Sequence, residues 1–305
     1  MSSSTGQAAQ DPERRVIRIG GAEAADFLQS ILTSDMEALS PGETRASALL
    51  TPQGRILADM MVLRVDDGFM LDCDVTRAAD LFTRLRRYRL RRPITLEMPG
   101  DHQLWVGWGD AAMPEGASTD PRHPALGWRW IGPAGSGPET ESGSGPADID
   151  QWHAVRIAAG VPQGPVDLQP ERALMLEAGL DRLGAVDFEK GCYVGQEVTA
   201  RTHYRGLVKR RIVPLNVSGG CPASGEAVSE GERDLGTVLS VTGGGEGALC
   251  LAAMKLSDIH QINDGDHELT AGGHAARLAM PDWMLPLPDP SNCLLYTCPS
   301  PRARG

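Results

Sequence analysis

Residues 188–206 read Phe-Glu-Lys-Gly-Cys-Tyr-Val-Gly-Gln-Glu-Val-Thr-Ala-Arg-Thr-His-Tyr-Arg-Gly, and no other stretch of the chain gathers as many reactive side chains. In an extended stretch alternate side chains share a face, so Lys190 and Cys192 are expected to point the same way, with the ammonium near enough to favour a thiolate at Cys192. Gly191 and Gly195 permit close backbone approach. Gly195-Gln196-Glu197 reads as the first turn of a helix whose free amides can meet an anion, with Glu197 placed to suit the helix dipole. Each residue also has a plain structural reading. A lone cysteine in a strand is more often a small buried hydrophobe than a nucleophile. Tyr193 and Tyr204 suit a core, and Arg201, Arg205, Lys209, Arg210 and Arg211 suit a solvated charged face. It is their co-occurrence that raises the chemical reading.

Several elements must hold this segment. Phe27, Leu28, Ile31 and Leu32 recur at helical spacing before Thr33-Ser34-Asp35 ends the helix. Residues 45–50 and 55–65 are strand-like runs joined by Thr51-Pro52-Gln53-Gly54, and Asp66-Asp67-Gly68 turns the chain into Phe69-Met70-Leu71, so an antiparallel meander is expected. Leu81, Phe82, Leu85 and Tyr88 mark a helix over 77–90, which Pro93 stops before a strand at 94–98. Short β-type runs at 211–217, 236–241 and 248–254 predict a small β-barrel. The expected division is a disordered N-terminus at 1–15, an α+β unit at 16–108, a flexible insertion at 109–150, a second unit at 151–210, and the barrel at 211–288. Residues 289–305, with Cys293 and Cys298, lack periodicity and read as a non-native tail.

The string Lys190-Gly-Cys-Tyr-Val-Gly-Gln-Glu-Val-Thr-Ala-Arg-Thr-His-Tyr-Arg-Gly206 resembles the signature of YgfZ-type folate-binding proteins, relatives of the glycine-cleavage aminomethyltransferase that act in iron-sulfur cluster assembly or repair. Phe27-Leu28-Gln29 to Thr33-Ser34-Asp35, Thr51-Pro52-Gln53-Gly54-Arg55-Ile56-Leu57 with Asp59, Tyr88-Arg89-Leu90-Arg91, and Arg156-Ile157 to Gly160-Val161-Pro162 agree with it. The resemblance implies an α+β, aminomethyltransferase-like fold of three units around a central opening that holds tetrahydrofolate, closed by the barrel. A pterin edge needs a carboxylate or amide, its ring an aromatic wall, and its glutamate tail arginine. Glu197 and Gln196, Tyr193 and Tyr204, and Arg201 with Arg205 are the candidates for those roles. Arg156 is a second candidate for the tail, and Asp59 is either a ligand contact or a strand residue facing solvent. Cys192, with Lys190 beside it, is the candidate for thiol or cluster chemistry. The transferases carry an Asp-Asp pair where this chain has Ala58-Asp59, which weakens a reading as a tetrahydrofolate-dependent aminomethyl or methyl transferase. A client-docking protein with a vestigial folate site, including a role in tRNA modification through a cluster enzyme, is the other alternative.

Composition narrows the classes. With 29 basic and 40 acidic side chains in 305 residues the formal charge is −11, which disfavours strong direct nucleic-acid binding. Arg84, Arg86, Arg87, Arg89, Arg91 and Arg92 crowd one helix end, where cations complement the helix dipole. No run approaches the about 18 apolar residues that a membrane span requires. The cysteines show no C-x-x-C and no zinc spacing, so neither a structural metal nor a disulfide framework is expected. Residues 1–15 include Asp11 and Glu13 and lack an apolar core, so the expected location is a bacterial cytoplasm rather than the mitochondrial matrix. The expected partners are folate and iron-sulfur enzymes or their assembly proteins.

Overall fold

A computed structural model describes residues 6–137, 146–244, 247–263 and 267–289. Residues 1–5, the centre of the expected insertion at 138–145, and 290–305 of the expected tail lie outside the described residues. The strands are β1 (Gln7–Asp11), β2 (Arg14–Gly20), β3 (Thr44–Leu50), β4 (Ile56–Val65), β5 (Gly68–Asp74), β6 (Thr95–Glu97), β7 (His102–Trp108), β8 (Ser118–Thr119), β9 (Trp128–Pro133), β10 (Arg210–Ser218), β11 (Ala227–Glu230), β12 (Arg233–Gly244), β13 (Gly247–Lys255), β14 (Leu269–Ala271) and β15 (His274–Leu278). The α-helices are α1 (Ala24–Gln29), α2 (Val75–Arg89), α3 (Ile149–Ala158), α4 (Gln196–Tyr204) and α5 (Leu256–Asn263).

Strands β3-β4-β5-β2-β6 form an antiparallel sheet that contains the expected meander. Its core is the apolar face of α1 (Phe27, Leu28) and of α2 (Ala78, Leu81, Leu85) packed on Ile17, Ile19, Val62, Phe69 and Leu71. Asp74 caps α2 by accepting from Thr76 N at 2.8 Å. Strands β10-β13-β12-β11-β14-β15 close a barrel around Val213, Leu215, Val238, Cys250, Ala252 and Met254. The sheet with its helices and the closed barrel agree with the expected α+β fold.

The third unit, a sheet ordered β1-β7-β9-β8, corrects two expectations. Residues 7–11, expected to be disordered, pair with β7 from Gln7↔Trp108 to Asp11↔Leu104. The strand has no apolar run to reveal it; it inserts the small side chains of Ala8 and Ala9, both buried. The expected insertion at 109–150 likewise contains β8, β9 and the start of α3. Its polar residues are structural: Asp120, Arg122 and Arg129 are buried. Arg129 donates to Asp72 of β5 and, at 3.3 Å, to Asp120, while Arg14 of β2 donates to Asp72 at 2.6 Å and Arg122 to Asp120 at 2.7 Å. This chain of alternating charges rivets the two sheets. Burial alone would raise the Asp72 and Asp120 carboxyls, but the guanidiniums around them hold both below the usual range. Around Trp152, which is fully buried, α3 and the 168–186 segment knit the sheets to the barrel.

Candidate functional site

The reactive segment is anchored before it is exposed. Lys190 Nζ donates to the carbonyls of Gln29 at 2.8 Å, Leu32 at 2.6 Å and Ser34 at 2.8 Å. Gln29 Nε2 donates back to Lys190 O at 3.2 Å, Thr33 Oγ1 donates to Ala185 O at 2.7 Å, and Asp187 N to Thr33 O at 2.9 Å. The end of α1 therefore clamps residues 185–190. This geometry corrects the expected Lys190–Cys192 partnership: residues 188–195 form no strand, so alternation does not apply, and all three ammonium hydrogens are spent on carbonyls. Burial lowers Lys190 to about 8, with Asp35, Asp187 and Glu37 opposing the shift. Its ammonium also lies 5.3 Å from the ring centroid of Tyr193, which is buried and whose phenol burial pushes up to about 12.

Beyond the clamp the free thiol of Cys192 stands exposed. Gly195 then caps α4 with φ +85°, and a Cβ at Gly195 would lie 2.6 Å from Thr51 O and 2.9 Å from Leu50 Cβ. A Cβ at Gly54 would similarly lie 3.1 Å from Val198 Cβ, so the β3–β4 turn and the start of α4 are pressed backbone to backbone. Gln196 is half-buried, while Glu197, Arg201, Tyr204 and Arg205 are exposed on α4. Phe188 stacks on His203 with ring centroids 3.9 Å apart and meets Tyr204 edge-on. Gln29, Phe188 and His203 are the residues that reading the sequence did not single out for a role. Phe188 and His203 fall within the motif, and Gln29 within the Phe27-Leu28-Gln29 string.

Asp59 and Arg156 lie elsewhere, each against the 161–167 loop. Gly164 N donates to Asp59 at 3.3 Å, and a Cβ at Gly164 would lie 2.2 Å from Asp59 Oδ1. Arg156, 3 % exposed, donates to Asp167 and Val161 O at 2.8 Å each and to Ser240 Oγ of β12 at 3.0 Å. It is a clasp between α3, the 161–167 loop and the barrel. Beside it opens a cavity of about 410 Å³, lined by Glu13, Asp74, Asp150, His153, Arg156 and barrel residues 239–243 among others. Burial and the neighbouring Arg156 hold His153 down at about 4, so its imidazole is neutral at pH 7. The size suits a small organic ligand, and the Glu13 and Asp150 carboxylates can accept from the amine and amide donors of a reduced pterin. The α4 residues Glu197, Arg201, Tyr204 and Arg205 do not line this cavity, so the expected candidates are divided between two places.

Comparison with known proteins places these features. Residues 13–103 match the family described as the GCVT N-terminal domain, and residues 209–286 the CAF17 C-terminal beta-barrel domain. The chain superimposes on the glycine cleavage system aminomethyltransferase T from Bartonella henselae with a TM-score of 0.72, over 92 % of this chain and 86 % of that one, at 16 % identity, a likeness of fold alone. It is 32 % identical to the mitochondrial iron-sulfur cluster assembly factor IBA57 of Homo sapiens, covering 88 % of this chain and 83 % of that protein, and 30 % identical to that of Mus musculus with the same coverage. The homologue from Pyricularia oryzae is 34 % identical over 66 % of this chain, which spans 55 % of that longer protein. These relatives are named as mitochondrial, which overturns the expected bacterial cytoplasmic location. With 32 % identity to the human protein over 88 % of this chain and 83 % of that one, the chain belongs to the family of the iron-sulfur cluster assembly factor IBA57.

Proposed function

We propose that the chain serves iron-sulfur cluster assembly, with Cys192 as the thiol that meets a cluster or the protein that carries one. The observation that carries this reading is the combination of an exposed, free Cys192 with rigid anchors on both sides: the Lys190 clamp before it and the close-packed Gly195 cap after it. A thiol held at a fixed place on the surface is accessible to a soft metal centre in a way that a buried cysteine such as Cys73 is not. The partners on this reading are iron-sulfur proteins, and the names of the relatives set it in the mitochondrion. Lys190 acts as a positioning residue. The test is complementation: in cells lacking their own IBA57, the chain restores the activities of cluster-dependent enzymes, and Cys192→Ser, folded as judged by its melting curve, does not. Full rescue by Cys192→Ser would return the thiol to a structural role.

Reduced folate enters through the resemblance of residues 190–206 to YgfZ-type proteins. On this reading tetrahydrofolate takes the 410 Å³ cavity beside Arg156, and the Glu13 and Asp150 carboxylates in its lining support it. Calorimetric titration of the full chain with tetrahydrofolate is expected to show saturable binding that Glu13→Gln weakens and Glu197→Ala leaves unchanged. Weakening by Glu197→Ala or Arg201→Ala instead would move the ligand to α4, and absence of binding would remove folate from the function.

A further inference from the structure

A second cavity, of about 520 Å³, lies between the β3–β4 turn, the 167–178 segment and the barrel. Four arginines are among its lining residues: Arg55 from the turn, Arg172 from the segment, and Arg210 and Arg211 from the start of β10. Two carboxylates share the lining. Asp167 is already committed, paired with Arg156 at 2.8 Å and accepting from Gln163 N and Ser240 N at 2.9 Å each. Glu177 is the other, and burial raises its carboxyl against the pull of Arg210 and Arg55. Four cations therefore face one uncommitted acid, in a chain whose net charge is −11.

Arg211 is the most telling of the four. It is 1 % exposed, its Nη1 donates to Leu176 O at 2.5 Å, and the nearest carboxylate, that of Asp181, is 3.9 Å away. Its Nε has no hydrogen-bond partner. A buried guanidinium is ordinarily matched by a carboxylate in bidentate geometry, because desolvating an unmatched charge is costly. The side chains of Arg172 and Arg210 are exposed and make no hydrogen bond or ion pair among the described residues. Arg55 Nη1, by contrast, is fixed by donating to Arg172 O. One buried, one fixed and two adaptable guanidiniums around a space too large for a monatomic ion suit a small molecule or ion with more than one anionic group.

We propose that this cavity is a binding site for a small organic or inorganic polyanion, its carboxylate or phosphate groups recognised by Arg55, Arg172, Arg210 and Arg211. The site is separate from the 410 Å³ cavity, with which it shares only Leu239, and from the exposed face of α4. It does not rest on the folate reading.

Calorimetry on the full chain, without folate and at constant ionic strength set with sodium chloride, would use two probes, pyrophosphate and citrate. At least one is expected to bind saturably at one site per chain and to raise the melting temperature. The tighter of the two identifies phosphate or carboxylate as the recognised group. Arg172→Ala and Arg210→Ala alter exposed side chains that folding does not depend on, and each is expected to weaken binding at least tenfold; Arg86→Ala on α2, outside the cavity, is expected to leave it unchanged. The proposal is overturned if neither probe saturates, or if Arg172→Ala and Arg210→Ala both bind as the unaltered chain does.

Discussion

Lys190 shows how a residue chosen for its chemistry can matter through its position. Its ammonium satisfies three carbonyls at the end of α1 that would otherwise be left without partners, and each charge-assisted bond contributes about 1.5–3 kcal/mol at most. Lys190→Met is expected to cost at least about 2 kcal/mol in urea unfolding and to quicken alkylation of Cys192 by loosening its loop. The titration has a definite sign. The folded value of about 8 lies below the unfolded value near 10.4, so between them the unfolded chain holds the proton more tightly and folding gains as pH rises. The stability of the unaltered chain relative to Lys190→Met should therefore increase from pH 8 to 10, and a flat difference would contradict the burial of this amine. Two glycines provide a graded comparison. Gly191 and Gly195 both have positive φ, at +97° and +85°, but a Cβ at Gly191 meets open space and one at Gly195 meets Thr51 O. Gly191→Ala should lose only the left-handed strain of about 1–2 kcal/mol, whereas Gly195→Ala adds a backbone collision and should melt at a distinctly lower temperature.

The elements behave as their periodicity suggests wherever one face is apolar, and depart from it where pairing is made by small or charged residues. The helix over 77–90 was legible because Leu81 and Leu85 share a face, and it appears as α2; the meander was legible through its turns. By contrast β1 carries its register in two alanines, and β9 carries Arg129 into a buried ion network. Neither signal exists at the level of hydropathy, because a buried arginine is recognisable only by its partner, and Asp72 is 57 residues away. Likewise the carbonyls that receive Lys190 belong to another helix, so spacing alone pointed its ammonium toward Cys192. The sequence singled out the 188–206 segment and Arg156 alike as candidates; that Arg156 lines a cavity which Glu197, Arg201, Tyr204 and Arg205 do not reach was not legible in it. The network itself is testable. Asp72→Asn leaves Arg14 and Arg129 without their shared counter-charge and is expected to cost about 3–5 kcal/mol. Because its folded carboxyl is depressed, the stability due to Asp72 is whole above the unfolded value near 3.9 and is lost as pH falls below it. The difference between the unaltered chain and Asp72→Asn, followed by urea midpoints, should thus hold from pH 7 to 5 and shrink below pH 4.

At the scale of the whole molecule, a polar clasp and a shared apolar core join the barrel to the rest of the chain. Arg156 reaches from α3 to Ser240 of β12, while Asp167 accepts from Ser240 N and Gln163 N, so α3, the 161–167 loop and the barrel meet at one ion pair. That pair also lies between the two cavities, since Arg156 lines one and Asp167 the other. If it holds the barrel in place, removing either partner strands a buried charge and should cost about 3–5 kcal/mol, more than an exposed pair such as Arg84 with Glu171, which contributes about 1 kcal/mol at most. Loss of packing around Trp152 would loosen every element together, whereas loss of the clasp should act locally. Hydrogen exchange separates the two. In Arg156→Met the amides of Ser240 and Gln163, both bound to Asp167, should exchange at least tenfold faster, while Val62 in the centre of the first sheet keeps its protection. Unchanged protection at Ser240 would show that the apolar core alone holds the barrel; equal acceleration at Val62 would show that the molecule opens only as a whole.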